Sequence, residues 1–132
     1  MQTEIFERCN AIEECYEFML AYAAKGLPGE TITGSTSQIR EFLTRAADAI
    51  RGVADSFATA IHGEDLQPAE KYQAFLAVLD RNSQEALASI ELVLAQPSIS
   101  SQLIDNLNAS IHLRALLTDL FLIDEVLKTC AQ

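Results

Sequence analysis

The residues of this chain whose types could do chemistry are two histidines, three cysteines and an arginine set inside an apolar run. A carboxylate-bridged metal pair in a helical protein needs Glu-x-x-His on facing helices, because a three-residue step brings both ligands to one face. His62 has Thr59 three residues before it, and His112 has Ala109, so neither pair forms. The spacing of Cys9, Cys15 and Cys130 does not suit zinc either. A serine or cysteine nucleophile needs a base beside it. Cys9 and Cys15 instead fall on an apolar stripe, where cysteine packs as a small hydrophobe. His62 falls on a polar face at a helix end, placed to meet the last carbonyls. The expectation is no catalytic residue, no metal and no cofactor.

Phosphate-binding signals are weak. The stretch "GLPGETITGSTS" puts glycines and hydroxyls before a helix and could cradle an anion. It carries no G-x-x-x-x-G-K-[ST] lysine, and a plain capped loop is the simpler reading. Arg114 is the stronger candidate. It lies between Ile111 and Phe121 in direction, within the apolar stripe of its helix. A buried guanidinium without partners costs several kcal/mol. Asn82 and Ser83 break the apolar pattern of the preceding helix, and Thr118 lies one turn beyond Arg114. Arg114, Asn82, Ser83 and Thr118, with Glu13 and Tyr16 near the same height, are therefore expected to form a polar layer at mid-bundle. That layer either fixes helix register or binds a small anion. A third option is an arginine stem that snorkels outward.

The run "SIHLRALL" resembles the site of histidine phosphotransfer domains, which are helical bundles of this size with an exposed histidine before a small basic motif. The resemblance covers a few residues only. It would give His112 the phosphoryl-accepting role. The family pattern places the leucine and lysine one residue later and then needs a glycine, where this chain has Leu116.

The elements that must position these residues are four helices, about 3–25, 36–62, 68–96 and 99–130, in one domain spanning 1–132. Apolar residues at three- and four-residue steps mark each helix. Ile5, Cys9, Ile12, Tyr16, Met19 and Ala23 form the first stripe, and Gly26 ends it as a left-handed cap. Ser35 and Gln38 read as a capping box for the second helix. Its stripe is Ile39, Phe42, Leu43, Ala46, Ile50, Val53, Phe57 and Ile61, with Arg40, Thr44, Asp48, Arg51, Asp55 and His62 opposite. Pro68 opens the third helix and Pro97 closes it; Ser98 or Ser100 caps the fourth. Matched lengths and short links predict an all-α, up-down-up-down four-helix bundle.

The fourth helix has more apolar surface than such a bundle buries. Leu103, Ile104, Leu107, Ile111, Ala115, Phe121 and Leu122 share one side, the expected core stripe. Leu113, Leu116, Leu120, Ile123 and Leu127 form a second, heptad-spaced seam that points largely away from it. Five large aliphatics left in water would forgo on the order of 7–15 kcal/mol of burial. The extra apolar face on the C-terminal helix is therefore expected to meet a second copy of the chain, giving a homodimer; the alternative is a fourth helix central in a less regular bundle.

Bulk composition narrows the partners. Nine Lys and Arg against nineteen Asp and Glu leave a net charge of −10. Phosphate neutralisation needs the opposite balance, so no nucleic acid is expected, and anionic membrane surfaces are equally unfavourable. A protein with a basic patch suits this surface. No run of 18 apolar residues spans a membrane. The opening "MQTEIFERCN" does not read as a secretory signal, and an odd cysteine count fits a reduced cytoplasmic setting. The function expected is a non-enzymatic, self-associating adaptor or assembly factor. The alternative is an anion sensor built on the Arg114 layer, and the more distant one a phosphotransfer-like module.

Overall fold

The computed structural model describes residues 2–30 and 38–130, which are helical apart from the links between helices and contain no strand. Five helices run along the described chain: α1 (Gln2–Ala24), α2 (Gln38–Glu64), α3 (Ala69–Leu94), α4 (Ser101–Ala109) and α5 (His112–Cys130). Three segments agree with the periodicity of the sequence. The expected fourth helix is two helices. Ser35 of the expected capping box lies outside the described residues, as does most of the glycine- and hydroxyl-rich loop.

The termini follow local chemistry. Gly26 takes φ +66° just past the end of α1, a conformation that costs glycine nothing. Ser100 caps α4, its Oγ accepting the Leu103 amide at 3.0 Å. The α2 helix passes Gly63 and ends at Glu64.

Contacts close into a ring. The α1 helix packs on α2, α2 on α3, and α3 on α4 and α5, which return to α1; the backbones of the diagonal pairs α1–α3 and α2–α5 do not approach closely. Cross-helix bonds run in opposite order along each neighbouring pair. Between α1 and α2, Arg8 donates to the Ala49 carbonyl (2.9 Å) while Phe18 stacks on Phe42, centroids 4.4 Å apart. Between α2 and α3, Arg40 donates to the Leu94 carbonyl while His62 meets Gln73. Between α3 and α5, Tyr72 meets Cys130 while Glu85 faces His112. Arg8 also shows why α2 carries Gly52. The guanidinium lies in the notch of the missing side chain, where a Cβ would come within 2.7 Å of its carbon.

The fourth segment breaks at Ser110–Ile111. The Ser110 amide closes α4 on the Asn106 and Leu107 carbonyls, and Ile111 takes φ +64°. Ile111 thus fills the left-handed position that glycine usually holds after a helix. Its carbonyl then accepts the Ala115 amide at 2.8 Å, the first turn of α5.

The break corrects the expected faces of this segment. At 100° per residue, Leu120 would point about 160° away from Ile104 in an unbroken helix. The left-handed step removes that difference. Leu113, Leu116, Leu120 and Ile123 are at most 3% exposed, and Leu127 packs partly buried against the same core. The seam read as a dimer interface is core within the chain. Ile111, Phe121 and Leu122, read as core, are 52–55% exposed.

Candidate functional site

The four residues expected to form a polar layer do not converge. Arg114 is exposed on the outer side of α5, rotated out with the rest of its stripe. Thr118 is also exposed, and its Oγ1 donates to the Arg114 carbonyl at 2.9 Å within the same helix. Asn82 donates across to the Asp119 carboxylate, joining α3 to α5. Ser83 is buried at 4% exposure, and its hydroxyl finds no partner among the described residues. It borders a cleft of about 70 Å³ between α2 and α3, whose walls include Asp55, Asp80 and Arg51, the last already paired with Asp48 and Glu91. Two carboxylates there repel an anion.

The histidines and cysteines are placed just as plainly. His62 does not return to its own helix end; its ring meets the Gln73 amide of α3 at 2.6 Å. His112 occupies the first turn of α5, with Nδ1 3.8 Å from the Glu85 carboxylate. That carboxylate opposes the approach of a phosphoryl group to the ring. Burial raises the Cys9 thiol to about 11, helped by Asp124 and Glu13. Burial also raises Cys15 to about 12, against a small opposing effect of Arg45. Both stay protonated and unreactive at neutral pH. Cys130 is exposed in the last turn of α5, 3.2 Å from the Tyr72 hydroxyl. Among the described residues, no three His, Cys, Asp or Glu side chains gather to hold a metal.

The densest polar network lies where the sequence showed only an outward arginine and a loop. Arg40 donates to the Leu94 and Gln96 carbonyls at 2.9 and 2.6 Å and to Glu30 at 2.7 Å. Glu30 in turn accepts the Ile99 amide at 2.8 Å. The buried Tyr22 hydroxyl donates to the Ile99 carbonyl at 2.6 Å. Ser101 bridges the same end, its Oγ donating to the Tyr22 carbonyl and accepting the Leu27 amide. Burial, then Glu30, keeps the Tyr22 phenol above its ordinary range. This clasp satisfies the last carbonyls of α3 and ties both links of that end together. Its chemistry is structural.

The fold also leaves large apolar side chains in solvent, among them Leu92 at 67%. Phe6 is 69% exposed on α1. The α1 flank facing α2 carries Arg8 and Phe18, as their bonds and stacking show. Phe6 and Glu13, seven residues apart, share the other flank with Cys9. Cys9 there is near enough to Asp124 of α5 for that carboxylate to help raise its thiol. On α5, His112, Asp119 and Cys130 are turned to α3. Phe121 lies on the opposite flank, toward α1, and Leu122 lies farther outward. The α1–α5 seam thus carries exposed aromatics at Phe6 and Phe121 beside the carboxylates of Glu13 and Asp124. Sequence reading missed it because Phe121 and Leu122 were assigned to the core.

No helix among the described residues is long and apolar enough to cross a membrane. Comparison of the chain with protein-family models, with curated proteins and with solved structures gives no match.

Proposed function

We propose that the protein is a non-enzymatic, cytosolic interaction module of the adaptor or assembly-factor kind. Its scaffold is an up-down-up-down four-helix bundle with the fourth helix broken in two. The ring of contacts and the opposed order of the cross-helix bonds support that topology. The observation that carries the function is the exposure of Phe6, Leu92, Ile111, Phe121 and Leu122, each above half. Large apolar side chains held in solvent on several helices are surface that a protein contact would cover. Three cysteines without disulfides fit a reducing compartment.

The homodimer read from the leucine seam no longer has that seam to form on. The purified chain is expected to sediment at its own 14.5 kDa. In lysate of the native host, the tagged protein at its natural level is expected to elute in a larger complex. The pair Phe121→Ser and Leu122→Ser should return it to the monomer position without changing its melting curve. Arg114→Ala and His112→Ala should leave the complex intact. A complex that ignores the apolar pair but collapses on Arg114→Ala or His112→Ala would replace this reading with a ligand or phosphotransfer site.

A further inference from the structure

We draw no further inference here: the strongest candidate, the exposed apolar surface at Phe6 on α1 and at Phe121 and Leu122 on α5, carries none, because nothing in the structure shows what covers it.

Discussion

Helices α2 and α5 are both rich in apolar residues, yet their faces could be read from the sequence with very different success. In α2 the stripe Ile39, Leu43, Ala46, Ile50, Val53, Phe57 and Ile61 is buried with Phe42 half-buried beside it, and Asp48, Arg51 and Asp55 are exposed. One stripe offers one way to face the core. In α5 the seam from Leu113 to Ile123 and the stripe holding Phe121 and Leu122 compete for the same interior. Periodicity cannot choose between them, because the choice depends on the phase at which the helix begins. That phase is set at Ile111, by a backbone conformation the residue type disfavours. A pattern shows which residues could pack together; the connection before it decides which set does.

The largest effects that sharpen this comparison come from truncating one core residue on each helix. Phe57→Ala in α2 and Leu116→Ala in α5 should each lose about 2–5 kcal/mol in urea titrations. Both side chains are at most 1% exposed. Leu122→Ala, on the competing stripe of α5, should stay within about 0.5 kcal/mol of the parent. Equal losses at Leu116 and Leu122 would show α5 buried on both faces, and the contrast with α2 would vanish.

Arg40 probes the exception on α2. It sits on the face read as polar, yet its fork holds three acceptors at once. Arg40→Ala should cost about 2–3 kcal/mol, since the partly buried Glu30 carboxylate loses a charged donor. Arg40→Lys should recover little, because one ammonium cannot reproduce the fork. A full rescue by lysine would reduce the clasp to a simple ion pair.

Ile111 probes the phase-setting step itself. A β-branched residue at φ +64° pays for a clash that glycine avoids. Ile111→Gly should raise the melting temperature by an amount corresponding to about 1 kcal/mol, with the helical signal unchanged. A loss of stability would mean that the chain between Ser110 and His112 does not take this conformation.

The smallest expected effect is at Ser83. Its buried hydroxyl lacks a protein partner among the described residues. Ser83→Ala should therefore be neutral or stabilising by up to about 1 kcal/mol by thermal melting. A clear loss would place a hydrogen-bonded group in the cleft beside Asp55 and Asp80.

How much was legible follows from the kind of signal each feature carries. Three helices, the Gly26 cap and the Ser100 cap were readable because glycine, proline and serine mark ends by local chemistry. The break at 110–111 carries neither glycine nor proline, and "NASIH" reads as ordinary helix. One sign was available: the stripes on either side of it, Ile104 with Leu107 and Leu113 with Leu116 and Leu120, are out of phase by nearly half a turn. A stripe that changes sides within one helix signals a break as well as a second partner. The clasp was hidden for another reason. It joins residues as far apart as Tyr22 and Ser101, through backbone carbonyls that no side-chain pattern displays. The exposed apolar side of α5 was misplaced through the same error of phase, since Phe121 and Leu122 exchanged sides with the leucines.

The account turns on which side of α5 faces the core, and paired charge substitutions at Leu120 and Leu122 test this most directly. Helical circular dichroism and the urea midpoint of Leu120→Glu and Leu122→Glu are compared with those of the parent. Leu120 is 1% exposed and Leu122 is 53% exposed. An uncompensated charge in the interior costs several kcal/mol or more. Leu120→Glu should lose cooperative folding, while Leu122→Glu should unfold at nearly the parental midpoint. A folded Leu120→Glu beside an unfolded Leu122→Glu would contradict the account and restore the continuous fourth helix with its outward leucine seam.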